Sequence, residues 1–138
     1  MPRLFSFLLC SLLLTGIAAC HQNDPEPTLQ GSWTVASRTY YYCDQAGKVL
    51  RTDVSGSLAT TYRAQISADT IAYYAIAFSP AYRESAQAYT RQGDKLRHPY
   101  GEPTQLRKLT GHTLVLFNQG SSGAAGTYRI DYETTLTR

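Results

Sequence analysis

The chain has 138 residues, of which 43% are hydrophobic and 17% charged, with a formal net charge of +3. That length suits one globular domain with one core. Its basic residues are scattered singly, with Arg107-Lys108 the only doublet, which argues against nucleic acid, whose binders gather Lys and Arg on one face or in runs.

Met1-Pro2-Arg3 is a short positive start, Leu4 to Ile17 is almost wholly apolar, and Ile17-Ala18-Ala19-Cys20 comes next. This is the n-region, h-region and small-residue cleavage site of a secretory signal peptide. The apolar run is shorter than the roughly 20 residues of a spanning helix, and no second run occurs. A cysteine directly behind two alanines resembles the lipobox of bacterial lipoproteins. The resemblance implies removal of residues 1–19 and a lipid on Cys20. It implies that the membrane is a partner through that lipid, in a bacterial cell envelope, either periplasmic or surface-exposed. Residues 20–28 then form a lipidated tether, polar and broken by Pro25 and Pro27. Cys10 leaves with the leader and Cys20 carries lipid, so Cys43 has no partner within the chain. Free cysteine is among the most buried residue types, and Cys43 is expected in the core.

From Leu29 onward the pattern has period two. Gly31 to Cys43 reads as a strand, Asp44-Gln45-Ala46-Gly47 as a turn, and Lys48 to Val54 as the return strand. Ser55-Gly56-Ser57 breaks the chain. Thr60 to Ser67 alternates, with Tyr62, Ala64 and Ile66 on one face. Thr70 to Phe78 is the most apolar segment and is read as a strand with Ala72, Tyr74, Ile76 and Phe78 on one face, stopped by Ser79-Pro80. Tyr82 to Arg91 is read as one strand, joined by Gln92-Gly93-Asp94 to Lys95–Tyr100. Gln105–Leu109 and Thr113–Phe117 come next, then the Gly- and Ser-rich loop Gly120–Gly126. In the closing strand, Thr127 to Leu136, one face carries Tyr128, Ile130, Tyr132, Thr134 and Leu136. The other carries Arg129, Asp131, Glu133 and Thr135, as in a sheet with one wet side.

Eight or nine strands with turn signals between neighbours, and no convincing helix, predict an all-β antiparallel up-and-down barrel behind the signal peptide. A sheet with one apolar face and no helices to cover it hides that face by curling closed, which also removes edges open to aggregation.

The segment Leu29-Gln30-Gly31-Ser32-Trp33 resembles the Gly-x-Trp opening strand of lipocalins. Residues 29–138 are similar to the lipocalin-like domains of small bacterial lipoproteins, through the hairpin Cys43–Leu50, Ala88–Leu96, Leu109–Leu116 and the Tyr-rich closing strand. The Thr-Asp-Tyr motif of classical lipocalins is absent. The resemblance implies a lipocalin-like barrel with an apolar pocket and no enzyme activity. It also implies that Trp33 packs at the closed end under a cation, with Arg129 and Arg138 both candidates.

No constellation for catalysis is visible. His21, His98 and His112 lack metal-ligand spacing, no Gly-x-Ser-x-Gly elbow occurs, and the glycine-rich loop lacks the lysine of a phosphate-binding loop. The chain is therefore read as a non-enzyme without metal or cofactor. Its unusual feature is 11 tyrosines, residues with high β propensity whose rings are apolar and whose hydroxyls seek partners. The candidate pocket lining is Trp33, Tyr62, Tyr74, Phe78, Leu116, Tyr128 and Tyr132. Two functions fit this pattern. In the first, a lipid-anchored envelope lipoprotein binds a small apolar or amphipathic molecule in its barrel. In the second, the core is filled and the outer face and loops form a protein-interaction or inhibitor module. The partner in that case is not named by the sequence, although Tyr41-Tyr42-Cys43-Asp44 before Gly47 resembles the start of lysozyme-inhibitor lipoproteins.

Overall fold

The computed structural model describes residues 27–120 and 129–138. The segment expected to be a signal peptide, Cys20 and the candidate Tyr128 lie outside them. Ten strands and one 3₁₀ turn (Leu58–Thr60) occupy the described residues. The strands are β1 Gly31–Cys43, β2 Val49–Ser55, β3 Tyr62–Ile66, β4 Thr70–Ala75 and β5 Tyr82–Ala88. They continue as β6 Thr90–Gln92, β7 Lys95–Arg97, β8 Thr104–Leu109, β9 Thr113–Asn118 and β10 Arg129–Thr137. Nine of them run in the spatial order β5-β4-β3-β1-β10-β9-β8-β7-β6 and curl into a nearly closed antiparallel up-and-down barrel. The fold is the all-β barrel expected from the sequence.

The tenth strand, β2, arises from the length of β1. Along one edge, the first half of β1 pairs with β3 from Gly31 to Thr34, and the second half pairs with β2 from Arg38 to Cys43. The other edge pairs with β10 from Thr34 to Cys43. The β1–β2 turn is set by Asp44, whose Oδ1 accepts from the amides of Ala46 and Lys48 at 2.9 Å each. Gly47 closes the turn at φ +84°, in the left-handed region that glycine enters without steric cost.

The core fills one end of the barrel. Trp33, Val35, Ala64, Leu96, Leu114 and Leu136 are fully buried, with Leu29, Ile66, Ile71, Tyr89 and Leu116 packed around them. The indole Nε1 of Trp33 donates to the Leu29 carbonyl (2.9 Å). Of the two candidate cations, Arg138 covers the indole, its guanidinium carbon 4.1 Å from the ring centroid. The same guanidinium donates to the carbonyls of Gly111, Gln30 and Thr28 at 2.9 to 3.1 Å. It thereby ties the segment before β1 to the β8–β9 turn. A side chain at Gly31, which sits at φ +131°, would press on this guanidinium at 3.1 Å.

Several expectations are corrected. Strand β4 presents the opposite face to the one read from sequence. Its register with β3 pairs Tyr73 with Ala64 and Ala75 with Tyr62, so Ile71, Tyr73 and Ala75 point inward. Ala72 and Tyr74 lie on the outer face beside Gln65 and Arg63. Both parities of Thr70–Ala75 carry apolar residues, so alternation alone could not choose between them. The strand ends at Ala75, and Phe78, 59% exposed, rests on Tyr82 with centroids 5.5 Å apart. The strand read over Tyr82–Arg91 is divided at Tyr89. That side chain is buried, its amide donating to Asp69 O and its hydroxyl to Ser67 O, both at 2.7 Å. Lys95–Tyr100 shortens to Lys95–Arg97 ahead of Pro99.

The barrel's remaining gap lies between β5 and β6, which are consecutive in sequence but share no ladder. His98 spans it. Its Nδ1 donates to the Ala88 carbonyl (2.9 Å), and its Nε2 lies 2.8 Å from the Thr104 hydroxyl, which donates to Asn118 Oδ1.

Replacing Arg138 with Ala removes the indole contact and three hydrogen bonds at an exposed site, and should lower stability by about 1–2 kcal/mol in urea unfolding. Arg138→Lys should recover only part, since an ammonium cannot fork to three carbonyls. His98→Ala should raise amide hydrogen exchange at Tyr89 and Thr90 more than in β9 or β10, because it releases the seam and spares the core.

Candidate functional site

The inner face of β1 does not keep one parity. Trp33 and Val35 point into the core, but the pairing with β10 shifts between Val35 and Ser37, so Ala36 has no partner. Such a bulge inserts one residue and re-aims the side chains beyond it. Past this point the inward residues are Arg38, Tyr40 and Tyr42, opposite Thr134, Tyr132 and Ile130 of β10. Without the extra residue, Arg38 would face outward and Ser37 and Thr39 would occupy the interior.

The result is a polar, aromatic layer above the filled end. Arg38 is half-buried; its Nε donates to the hydroxyl of buried Thr134 (3.3 Å), and its guanidinium carbon lies 5.5 Å from the Tyr132 centroid. Tyr40 packs on Tyr132 with centroids 6.4 Å apart and ring planes tilted by 41°. From β4, Tyr73 reaches the same layer. Burial pushes its phenol up to about 12, the charge of Arg38 opposes that rise, and Tyr132 adds to it. Tyr62 and Tyr73 also pack against the core below. Nearer the rim, Arg51 lies over Tyr42 (4.0 Å) and pairs with Asp53 (2.9 Å).

Among the described residues Arg38 has no carboxylate within ion-pair distance, and only its Nε makes a hydrogen bond. A guanidinium carries five donors, so the four N–H groups of the two terminal nitrogens have no protein acceptor among these residues.

The sequence-derived pocket residues divide between three environments. Trp33 and Leu116 are buried in the filled end. Tyr62 and Tyr132 stand at the layer above it. Tyr74 and Phe78 are on the outer face and beyond the strand end. Arg38, Tyr40 and Tyr73 were not singled out from the sequence. The one hint was a lone arginine in a 13-residue strand ahead of three tyrosines, and its direction depends on the bulge.

On the outer face at the same end lies a second polar cluster. Asp131, expected on a wet face, is buried. It accepts from Arg129 Nη2 (3.0 Å), has Arg129 Nε at 2.9 Å, and accepts the Gly120 amide (3.0 Å). Arg129, the Gly120 amide and the Cys43 thiol surround the carboxylate, which alternation alone would leave in water. The buried thiol of Cys43 donates to Asp131 Oδ2 at 3.7 Å. Burial first, and then the Asp131 charge, push this thiol up, which disfavours the nucleophilic thiolate. No group of three His, Cys, Asp or Glu among the described residues could hold a metal ion. Two hollows of about 340 Å³ lie elsewhere, one beside His98 at the seam and one beside Phe117 and Lys95.

The folded chain holds the Tyr73 proton from pH 10.0 to about 12, whereas the unfolded chain releases it near 10. Stability should therefore fall as pH rises through that window. A phenolate absorbance titration should show one tyrosine ionising last, near pH 12, and Tyr73→Phe should remove that step. Comparison of the chain with protein-family models, curated proteins and solved structures returns no match.

Proposed function

We propose that this is a lipid-anchored lipoprotein of the bacterial envelope whose lipocalin-like barrel binds a small amphipathic molecule at its open end. The observation that carries the reading is the division of the barrel's interior. One end is packed solid around Trp33. Above it the inner wall continues as the half-buried residues Arg38, Tyr40, Tyr73 and Tyr132. A solid core needs no such wall, and ligand sites characteristically combine aromatic walls with a few placed polar groups. The anchor is argued from the leader and Cys20. A tether of the composition of His21–Thr28 would let the barrel mouth move relative to the bilayer.

A second reading, an interaction module, has its own support. All seven residues of β5 are exposed and its outer edge has no ladder partner. An unpaired edge is a template for an added strand.

Native mass spectrometry of the protein taken from its producing cells separates the two. A stoichiometric small-molecule adduct supports binding. An adduct-free barrel that co-purifies with one protein partner supports the module. The anchor is tested separately: Cys20→Ser should leave the leader uncleaved or shift the protein from the membrane to the soluble fraction, and retention of a lipidated, membrane-bound product would overturn it.

A further inference from the structure

We propose that the open end of the barrel is a carboxylate site, in which Arg38 receives the head group of an amphipathic monocarboxylate and Tyr40 and Tyr132 hold its apolar body. This rests on the binding reading above and gives it a ligand class.

Charge balance at the site argues for an anion. Arg38 brings a full positive charge to the inner wall and, among the described residues, meets only the Thr134 hydroxyl and the Tyr132 ring face there. Desolvating a guanidinium in part without a counter-charge is unfavourable, and neither of these neighbours neutralises it. Arg51, opposite Tyr42 on the same face, is already matched by Asp53 at 2.9 Å. Among the described residues, therefore, Arg38 is a positive charge of the wall without a carboxylate to match it. That balance suits a monoanion better than a phosphate monoester, which approaches two negative charges at neutral pH.

Geometry argues for a carboxylate head and an amphipathic body. The planar guanidinium fork matches two carboxylate oxygens, and the terminal nitrogens of Arg38 are the ones without a described acceptor. Tyr73, kept protonated far above neutrality, adds a phenol O–H donor to the same layer. Below Arg38 the barrel is closed by Val35, Leu116 and Leu136, which are at most 1% exposed, so the ligand body cannot extend downward. It must lie upward along Tyr40 and Tyr132, half-buried rings whose faces are apolar. Head-inward binding is a consequence of the filled core.

The test uses the purified full chain and two probes of equal chain length, dodecanoate and dodecan-1-ol, followed by calorimetric titration. The inference expects one dodecanoate per chain and affinity for dodecan-1-ol at least about tenfold weaker, the scale of a charge-assisted hydrogen bond. Arg38→Gln should weaken dodecanoate by a similar factor without changing dodecan-1-ol. Arg38→Lys, which keeps the charge and loses the fork, should fall between. Arg107→Gln makes the same change of net charge on the outer wall, where Arg107 covers Phe117 and pairs with Glu133, and should change nothing. Thermal unfolding of each variant separates lost binding from lost fold; should Arg38→Gln fail to fold, Arg38→Lys and the alcohol comparison carry the test. Equal binding of acid and alcohol, indifferent to Arg38, would overturn the carboxylate site and leave a binding barrel standing. No binding of either probe would overturn it too, and the adduct measured on cell-derived protein then decides the broader reading by itself.

Discussion

Strand β1 spans 13 residues, roughly 40 Å at the rise of an extended chain, and serves both ends of the molecule. Its first half must bury Trp33 and Val35; its second half belongs to the open end. Strict alternation would give both halves the same parity and put Ser37, Thr39 and Tyr41 inside. The unpaired Ala36 changes the parity once. The side chains of Arg38, Tyr40 and Tyr42 turn inward as a consequence, and Tyr41 and Cys43 turn outward toward Asp131. The aromatic wall on one side and the buried thiol–carboxylate pair on the other are thus two results of one inserted residue. A register slip of one residue moves every side chain to the other face, so the bulge acts on half a strand as a full slip would act on a whole one.

Three arginines pack against this framework with different consequences. Arg138 is exposed, and its guanidinium is used by three carbonyls and an indole; its contribution is the closure of the filled end. Arg129 donates from Nη2 to Asp131 on the outer face, with Nε 2.9 Å from the same carboxylate, and Asp131 in turn accepts from the Cys43 thiol. Arg138 is held by several partners, and Arg129 is neutralised by one carboxylate. Among the described residues Arg38 has a hydroxyl and a ring face and no carboxylate. One is tied down by three carbonyls and the next is neutralised by a carboxylate; the third has neither among the described residues, which sets it apart.

Much of the fold was legible because most strands have one apolar parity. Tyr62, Ala64 and Ile66, and likewise Tyr132, Thr134 and Leu136, alternate cleanly, and the structure keeps both sets inside. Strand β4 was misread because Ile71 and Tyr73 are as apolar as Ala72 and Tyr74, leaving the choice to the register with β3, a tertiary fact. The burial of Asp131 was hidden for a related reason. A carboxylate in an alternating strand reads as solvated, and only the approach of Arg129 and Gly120 from other positions encloses it. The candidate site was legible in part. Tyrosine enrichment pointed to an aromatic interior, but the residue that gives the interior its charge faces inward only because of a bulge with no sequence signature in Val35-Ala36-Ser37.

The seam and the wall limit each other. A nearly closed barrel is stiff wherever ladders join neighbouring strands, and the one pair of path ends without a ladder is β5 and β6. Tyr89 anchors the break to the β3–β4 turn, and His98 bridges it from the residue after β7. Widening there would move β5 and β4, and with them Tyr73, relative to the fixed pair β1 and β10 that carries Arg38, Tyr40 and Tyr132. The wall is therefore built from two parts: a rigid half held by the long pairing of β1 with β10 from Thr34 to Cys43, and an adjustable half on the side of the gap. In the proposed site the head group and the apolar body would both lie against the rigid half, which carries Arg38, Tyr40 and Tyr132. The gap would then set how closely Tyr73, on the adjustable half, approaches the head group at Arg38.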